Sequence, residues 1–270
     1  MQRILLTGAT GGVGTMLRPL LRRHFPSVVL SDREPIEDLA ENERFVTAEL
    51  TDSAALAGAC ADVEGIIHLG GYSVEGPWDA IHSANIVGLW NLFEAARANG
   101  VRRVIFASSN HAVGFYKRRD RIGIDEPVRP DSRYGVSKAF GEAAGAFFAD
   151  KYGLRVMSIR IGNVGFEPID KRRLSIWIHP EDLFQLCRIG LEHPDLHHAI
   201  VYGESLNERS WWDNRSAYRL GYAPEHRAED HAETALRAQA ELPPDPIGDV
   251  FQGGAFCSME FAGDLTRSGS

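Results

Sequence analysis

The sequence has few cysteines and no long apolar run. It contains three cysteines, Cys60, Cys187 and Cys257, and none belongs to a CxxC pair, which is typical of a protein from a reducing compartment. No apolar stretch approaches the roughly 20 residues of a membrane span, and the first residues are typical of a strand instead of a signal peptide. The sequence therefore predicts a cytoplasmic protein with no membrane partner.

Metal-ligand spacings and an excess of positive charge are also missing. The ten histidines show neither HExxH nor CxxC-type spacing, so we predict no metal. The 29 basic and 37 acidic residues give a net charge of −8, which argues against a broad nucleic-acid surface. The remaining composition, 44% hydrophobic and 24% charged, is that of an ordinary globular enzyme.

The amino terminus contains a short apolar run, a glycine-rich loop and an amphipathic segment. Gly8 permits a tight turn, Gly11 lets the backbone approach a pyrophosphate, and Gly14 allows close packing of helix and strand. The next apolar run ends at Asp32, 24 residues after Gly8, where a carboxylate binds ribose hydroxyls and repels a 2′-phosphate. The segment predicts an NAD site, although the neighbouring Arg33 leaves the strictness of NAD over NADP open.

Apolar runs and helix-type segments alternate along the chain. Most of the runs are continuous, as in strands buried on both faces of a parallel sheet. We predict strands at about 3–7, 27–32, 44–47, 65–69, 102–107 and 154–160, and helices at about 12–24, 52–60, 78–99 and 131–152. This order predicts an α/β fold with a Rossmann-type doubly wound parallel sheet, whose ligand cleft lies at the carboxyl ends of the strands.

Tyr134 and Lys138 are four residues apart, and Ser109 ends an apolar run upstream. On a helix, residues i and i+4 share a face, so the lysine ammonium can lie beside the phenol. A free tyrosine titrates near ~10, and an adjacent cation lowers that pKa. The three residues therefore predict a proton-transfer set, with Tyr134 as the base, Lys138 as its electrostatic support and Ser109 as the holder of the substrate oxygen.

With these motifs in this order, the chain resembles the extended short-chain dehydrogenase/reductase family, which is defined by GxxGxxG and YxxxK on such a sheet. The matching segments include Ile67-His-Leu-Gly-Gly71 and Asn85-Ile-Val-Gly88. The resemblance implies a cofactor site formed by Gly8, Gly11, Gly12, Val13, Gly14, Asp32, Glu49, Leu50, Leu69, Gly70, Gly71, Asn85, Tyr134 and Lys138.

Over almost its whole length the chain resembles uronate dehydrogenases. The similar segments are Phe106-Ala-Ser-Ser-Asn-His111, Arg172-Arg-Leu-Ser-Ile-Trp177, Trp211-Trp-Asp-Asn214 and Phe251-Gln-Gly-Gly-Ala-Phe256. This resemblance implies oxidation of the anomeric carbon of glucuronate or galacturonate with NAD, giving an aldarolactone. It also implies a sugar-acid site formed by Ser73, Ser109, Asn110, His111, Tyr134, Asn163, Arg172 and Phe256.

The chemistry of a uronate supports two of these assignments. Arg172 suits the carboxylate because its planar fork can bind both oxygens, and the adjacent Arg173 is the alternative. His111 lies two residues beyond Ser109, where we expect substrate hydrogen bonding instead of acid–base work. We interpret Trp211 and Trp212 as packing residues outside the site.

Two positions depart from the relatives. Glu49 stands where aspartate is expected near the adenine, which puts the contacts of Glu49 and Leu50 in doubt. Asn163 replaces a serine, and this change bears on the preference between epimeric sugars.

Two alternative functions remain open. A sugar-nucleotide epimerase or dehydratase of the same fold would need a pocket for a nucleoside diphosphate, and only about 110 residues follow Arg160. A non-catalytic NAD-binding regulator would not need Tyr134 and Lys138. We predict an NAD-binding domain at residues 1–160 and a small substrate-binding lobe at 161–270, packed together as one compact unit. Homo-oligomerisation through the helices at 78–99 and 131–152 stays open.

Overall fold

A computed structural model of the chain describes residues 1–265. Seven strands form one sheet in the order β3-β2-β1-β4-β5-β6-β9, and all neighbouring pairs are parallel. The strands are β1 (Arg3–Thr7), β2 (Ser27–Asp32), β3 (Glu43–Thr47), β4 (Gly65–His68), β5 (Arg103–Ser109), β6 (Arg155–Ile161) and β9 (His198–Gly203). A separate pair consists of β7 (Asn163–Val164) and β8 (Trp177–Ile178). The predicted doubly wound parallel sheet is confirmed.

Helices cover both faces of the sheet. They are α1 (Gly12–His24), α2 (Ser53–Ala59), α3 (Trp78–Ile81), α4 (Gly88–Ala98), α5 (Arg133–Tyr152), α6 (Arg173–Ile176), α7 (Pro180–Glu192), α8 (Arg215–Arg219), α9 (Ala232–Ala240) and α10 (Ala255–Ser258). A π-helix (His82–Val87) joins α3 to α4, and 3-10 helices span Asn110–Val113 and Ala228–His231. The helix predicted at 78–99 is therefore one helical run interrupted by a wider turn.

The core lies in two layers, one on each face of the sheet. Alternate residues of β1 face opposite layers, so Leu6 packs with Leu17 of α1 and Leu183 of α7, whereas Leu5 packs with Leu92 of α4. Strand residues such as these are fully buried, which explains why the strands are continuous apolar runs. At roughly 25 cal/mol per Å² of apolar area, burial on both faces is the dominant stabilising contribution.

The carboxyl ends of the strands meet along one edge of the sheet. The strand order reverses between β1, which continues towards β2 and β3, and β4, which continues towards β5 and β6. In doubly wound folds, a crevice opens at this switch point. Loops after Thr7, His68 and Ser109 all start there, and they carry the predicted functional residues.

Two elements after residue 160 extend the main sheet and the helical layer on one of its faces, although the sequence analysis predicted neither of them. β9 pairs with β6 along six residues, and α7 packs against the layer that contains α1. Smaller apolar clusters form around Trp212 and Trp177. The division at residue 160 stays a prediction. The second segment contributes the edge strand β9 and the helix α7, which packs on one face of the sheet.

Two further observations concern the described residues. Within 1–265, no helix combines the length and apolar character needed to cross a membrane. Cys60, Cys187 and Cys257 are buried free thiols, and burial raises the pKa of Cys60 and of Cys187 to about 12. All three therefore act as small apolar packing groups.

Candidate active site

The loop between β1 and α1 approaches neighbouring backbone so closely that a side chain would not fit. Gly8 has a φ of +69°, and a Cβ there would lie 2.8 Å from the backbone nitrogen of Gly70. A Cβ at Gly14 would lie 2.2 Å from the carbonyl oxygen of Gly8. No side chain caps the first turn of α1, which follows Gly11. These free amides at a helix amino end fit a pyrophosphate, as a dinucleotide site requires.

The adjacent predicted cofactor residues lie around this loop. Gly12 and Val13 form the start of α1. Asp32, at the end of β2, accepts a 2.9 Å hydrogen bond through Oδ2 from the backbone nitrogen of Thr10. Arg33 is exposed, with its Nε 3.9 Å from a carboxylate oxygen of Glu49. The carboxylate of Asp32 thus lies beside the glycine loop. Arg33 lies next to Glu49, the residue that stands where aspartate is expected.

The segment after β4 is fixed by Asn85, which lies in the π-helix. Its Oδ1 accepts from the backbone nitrogen of Tyr72 at 2.7 Å, and its Nδ2 donates to the Tyr72 carbonyl at 2.9 Å and to Ser137 Oγ at 3.0 Å. Gly71 has a φ of +141°, and a Cβ there would lie 2.6 Å from Asn85 Oδ1. Asn85 therefore connects this loop to α5.

Leu69 and Gly70 continue the chain from β4 past the glycine loop. The Leu69 backbone nitrogen donates to the Thr7 carbonyl at 3.2 Å, and the Gly70 nitrogen donates to Thr7 Oγ1 at 3.3 Å. Leu50 packs on the same segment, because a Cβ at Gly70 would lie 3.4 Å from Leu50 Cδ1. The predicted cofactor residues from three strand ends thus form one continuous surface.

Tyr134 and Lys138 lie on α5, beside the carboxyl end of β5, and both are buried. The Ser109 hydroxyl lies beside the phenol of Tyr134 and lowers its pKa. Lys138 Nζ lies 5.3 Å from the centre of the Tyr134 ring and donates to the carbonyl of Ala107 at 2.7 Å. The three predicted catalytic residues are therefore brought together.

The electrostatics of this group differ from the sequence-based expectation. Burial raises the pKa of Tyr134 to about 12, and the nearby Ser109 hydroxyl opposes that rise. Burial also lowers the pKa of Lys138 to about 8. We expected the lysine to lower the pKa of the phenol, but desolvation is the larger effect here. The hydrogen bond from Lys138 Nζ to the Ala107 carbonyl fixes the position of the ammonium charge.

His111 is held between an aromatic ring and a buried carboxylate. Its Nδ1 lies 2.7 Å from Asp131 Oδ2, and its ring stacks on Phe256 with a centroid distance of 3.9 Å. The His111 and Tyr134 ring centroids are 5.8 Å apart. Because Asp131 occupies Nδ1, Nε2 is the ring nitrogen left for a ligand.

The Asp131 carboxylate lies in a space that two glycines create. A Cβ at Gly114 or at Gly253 would lie 1.8 Å from Asp131 Oδ2. Asp131 Oδ1 accepts from Ser132 Oγ at 2.7 Å, and the Asp131 side chain has no exposed surface. Sequence reasoning did not identify Asp131, since nothing in its local sequence signals a contact with His111.

Arg172 and Arg173 have different surroundings. Arg173 forms an ion pair with Asp170, so its charge is already neutralised. Arg172 Nε donates to the Gln252 carbonyl at 2.8 Å, and within residues 1–265 Arg172 has no carboxylate partner. Burial lowers the pKa of Arg172 to about 10, with the charge of Arg173 as a further cause. Of the two candidates, Arg172 is the one available to an anion.

Asn110 connects this arginine to the proton-transfer set. With its amide oriented to satisfy both ends, the Asn110 oxygen accepts from Arg172 Nη2 at 3.1 Å and its nitrogen donates to the Ile161 carbonyl at 3.3 Å. Ser109, Asn110 and His111 are consecutive, and they contact Tyr134, Arg172 and Asp131 in turn. One short segment after β5 thus joins a phenol, a cation and an imidazole.

The two other predicted substrate residues are less closely connected. Ser73 is exposed in the loop after β4, and Asn163 is half-buried in β7, paired with Trp177. Among the residues described, neither side chain hydrogen-bonds with another predicted substrate residue. Trp212 is buried, stacks on Tyr202 and donates to Gln252 Oε1 at 2.9 Å, which is a packing role.

Sequence reasoning also missed the residues that hold α5 in place. Glu75 accepts from Arg133 Nη1 at 2.7 Å and from the backbone nitrogen of Tyr134 at 3.0 Å. Deeper in the molecule, Glu142 of α5 forms a buried two-point ion pair with Arg160 of β6, with both distances 2.9 Å. These contacts fix the helix that carries Tyr134 against the sheet.

A histidine pair outside the cleft was also not expected from sequence spacing. His179, Glu181 and His226 place one potential metal-ligand atom each within 4.8 Å of one another. His179 Nδ1 already accepts from the Glu181 backbone nitrogen at 3.3 Å, and its ring stacks on His226 at 3.5 Å. These contacts identify His179 as the cap of α7.

Comparison with known proteins agrees with this geometry. Residues 4–178 match the NAD dependent epimerase/dehydratase family, and the chain belongs to that family. This match confirms the resemblance to the extended short-chain dehydrogenase/reductase family, which the glycine loop and the YxxxK motif indicated.

Within the family, the chain is similar to uronate dehydrogenases along nearly its full length. It is 43% identical to uronate dehydrogenase from Pseudomonas syringae pv. tomato, with 97% of this chain and 95% of the relative covered. It is 45% identical to uronate dehydrogenase from Pseudomonas putida, with 94% and 95% covered. A variant of uronate dehydrogenase from Agrobacterium tumefaciens, solved as a complex with NAD, superposes with a TM-score of 0.91 at 40% identity, with 96% and 97% covered.

Proposed function

We propose that this chain is an NAD-dependent uronate dehydrogenase that oxidises the anomeric carbon of D-glucuronate and D-galacturonate to the aldarolactones. The observation that carries the proposal is the segment Ser109–His111, whose residues contact Tyr134, Arg172 and Asp131 in turn. A base and an unneutralised guanidinium therefore share one cleft. That pairing suits a substrate with a reacting hydroxyl and a carboxylate.

The coenzyme would lie along the glycine loop, with its ribose at Asp32. The close approaches at Gly8 and Gly14 and the uncapped first turn of α1 fit a pyrophosphate. When bound, NAD accepts the hydride that leaves the anomeric carbon. The carboxylate of Asp32 disfavours the 2′-phosphate of NADP at this position.

Tyr134 accepts the proton of the anomeric hydroxyl. Ser109, whose hydroxyl lies beside the phenol, holds the same hydroxyl oxygen and aligns it with Tyr134. The fixed charge of Lys138 stabilises the phenolate that the proton transfer requires. General base catalysis of this kind contributes roughly 10²- to 10⁴-fold to a rate.

Arg172 binds the carboxylate of the sugar acid. Gln252 engages Nε and Asn110 engages Nη2, so Nη1 and the remaining hydrogen of Nη2 can donate to the two carboxylate oxygens. His111 presents Nε2 to a ring hydroxyl, and Phe256 supports the imidazole ring. Ser73 and Asn163 complete the proposed sugar-acid site.

The relatives support this substrate class. Proteins named uronate dehydrogenase are 43% and 45% identical to this chain along nearly its full length. A sugar-nucleotide epimerase would need space for a nucleoside diphosphate, whereas the cation in this cleft is positioned for one carboxylate.

The decisive experiment follows NADH absorbance with a panel of substrates. The panel contains glucuronate, galacturonate, the neutral sugars glucose and galactose, and UDP-glucose. We expect turnover with the two acids and a specificity constant ~10- to 100-fold lower for the neutral sugars, because loss of a charged hydrogen-bonding partner costs about 1.5–3 kcal/mol. Equal turnover of acids and neutral sugars would contradict the role of Arg172, and activity confined to UDP-glucose would support the epimerase alternative.

A further inference from the structure

A cavity lies at the edge of the sheet opposite the candidate active site. Its volume is about 620 Å³, and the first residues of β5 and β6, Arg103 and Arg155, line it. The same two strands end at Ser109 and Ile161. Since the amino and carboxyl ends of parallel strands lie at opposite edges of a sheet, this cavity is separate from the cleft that contains Tyr134.

The lining of the cavity has a strong excess of positive charge. Four arginines line it, whereas Glu192 is the one carboxylate among its lining residues. Glu192 lies 2.9 Å from His24 Nε2, so it is already engaged. The arginines are Arg97, Arg102, Arg103 and Arg155. This concentration is unexpected in a chain that has 37 acidic and 29 basic residues.

Two of the four arginines form ion pairs with carboxylates, and the other two do not. Arg97 forms an ion pair with Glu94, and Arg102 forms one with Glu64. Within the described part of the chain, Arg103 and Arg155 form no ion pair with a carboxylate. Glu192 is the carboxylate of the lining whose charge acts on Arg103, and the four arginines outnumber it.

Arg103 is also buried, with 6% of its surface exposed. Its Nη1 donates to the Gly190 carbonyl at 3.1 Å, in the last turn of α7. Arg103 and Arg155 are in register on adjacent parallel strands, so their side chains leave the same face of the sheet. Desolvation, together with the charges of Arg155 and Arg102, lowers the pKa of Arg103, and the charge of Glu192 opposes only part of this shift. A buried guanidinium beside a like charge is costly unless an anion approaches both.

We propose that this cavity binds a small organic anion with at least two negatively charged oxygen groups, and that Arg103 and Arg155 are its principal partners. Planar guanidinium forks bind carboxylate and phosphate oxygens in pairs. The volume falls within the range of roughly 300–1,000 Å³ that is typical of small-molecule sites. The proposal concerns a second site, so it does not depend on the activity proposed above.

The aromatic side chain that lines the cavity, Tyr152, bears on which class of ligand can bind. Arg97 covers the Tyr152 ring at 4.9 Å from its centre, and Phe148 packs against the same ring at 5.5 Å. The Tyr152 ring is therefore already engaged by its neighbours, and recognition depends on charge. The class that fits is a polycarboxylate or a compact phosphate compound.

The test is calorimetric titration of the full chain in saturating NAD, which keeps the coenzyme loop occupied. The probes are citrate, pyrophosphate and, as a monoanion control, gluconate. We expect citrate or pyrophosphate to bind saturably, more tightly than gluconate, and with an affinity that falls as NaCl is raised. Citrate alone would identify a polycarboxylate site, and pyrophosphate alone a phosphate site.

Variants assign the binding to the cavity. Arg155 is exposed, so Arg155→Ala leaves the core intact, and we expect it to weaken binding ~10-fold or more, as loss of a charge-assisted contact does. Arg103→Lys keeps the positive charge but loses the planar guanidinium that can bind two oxygens at once, and it should also weaken binding. The matched control is Arg237→Ala, on the exposed face of α9, which should bind as the unmodified chain does. The absence of saturable binding, or equal affinity in Arg155→Ala and Arg237→Ala, would overturn the proposal.

Discussion

His111 Nδ1 lies 2.7 Å from Oδ2 of Asp131, a carboxylate with no exposed surface. The contact has two effects on the candidate site. It fixes the orientation of the imidazole, and thus the direction of Nε2. It also places a negative charge near Tyr134, and that charge contributes to the raised pKa of the phenol. Asp131 therefore acts as a positioning residue for the site.

Asp131→Asn is expected to lower kcat/KM for uronates by ~10- to 100-fold, since a hydrogen bond to a charged group contributes about 1.5–3 kcal/mol. Removing the negative charge should also lower the pKa of Tyr134, because Asp131 raises it. The rise of kcat with pH should then begin at a lower pH. Steady-state kinetics across pH 7–10 measure both effects. Asp125→Asn, at an exposed position of the same loop, is the control, and a lower activity with an unshifted pH profile would indicate a purely structural role.

Tyr134→Phe is expected to lower kcat by ~10²- to 10⁴-fold or more, because the ring is retained and only the proton acceptor is lost. NADH affinity, followed by fluorescence, should stay close to that of the unmodified chain. Since the pKa of Tyr134 is raised to about 12, kcat of the unmodified chain should rise from neutral to alkaline pH. Substantial retained turnover in the variant would rule out Tyr134 as the base.

Arg172→Ala should raise KM for glucuronate ~10- to 100-fold, while KM for NAD changes little, since only the carboxylate loses its partner. Arg173→Ala is the matched control. Its guanidinium already pairs with Asp170, so its loss should leave KM for glucuronate near the unmodified value. The reverse pattern, with the larger effect at Arg173, would move the carboxylate site to that residue.

Lys138→Met is expected to stabilise the fold at pH 7 while it abolishes most activity. Burial lowers the pKa of Lys138 from 10.5 to about 8, so the charged lysine opposes folding by up to ~3 kcal/mol below pH 8. Loss of the hydrogen bond to Ala107 offsets ~1–2 kcal/mol of that gain, which leaves a net stabilisation of about 1 kcal/mol.

The pH dependence is the sharper part of this prediction. The penalty on the charged lysine is complete below pH 8 and disappears as pH rises to 10.5, so the advantage of Lys138→Met should shrink within that interval and become a net destabilisation of ~1–2 kcal/mol by its end. Urea unfolding at pH 7 and pH 10.5 measures it. Lys151→Met, on the same helix but exposed, should show no such trend. An advantage that grows with pH would contradict the lowered pKa.

The sequence predicted the first six strands of the sheet, and five of them are buried on both faces and therefore read as apolar runs, with the edge strand β3 as the exception. β9 was missed, since it is an edge strand whose first three residues, His198–Ile200, are only half-buried. α7 was missed although it carries local signals: His179 caps it, and Pro180 and Glu181 follow in its first turn. Those signals could have identified it.

The predicted site residues meet in space where they follow strand ends. Ser109 and Asp32 could be placed in this way, because parallel strands bring their carboxyl ends to one edge. The role of Asp131 could not be predicted, since it depends on the space left by Gly114 and Gly253, which are distant in sequence. The different states of Arg172 and Arg173 also required the structure, because Asp170 neutralises only one of them.

The carbonyl of Gln252 holds the Nε of Arg172, and Phe256 covers His111. In the proposed site, binding of the sugar acid therefore depends on a stretch of chain far from the nucleotide loop. An engineered chimera in which only the segment 251–256 was exchanged would keep the coenzyme pocket, but its Arg172 would lose the carbonyl that holds it in place for an acid. Directed evolution towards neutral sugars should consequently start in this segment instead of in the YxxxK helix.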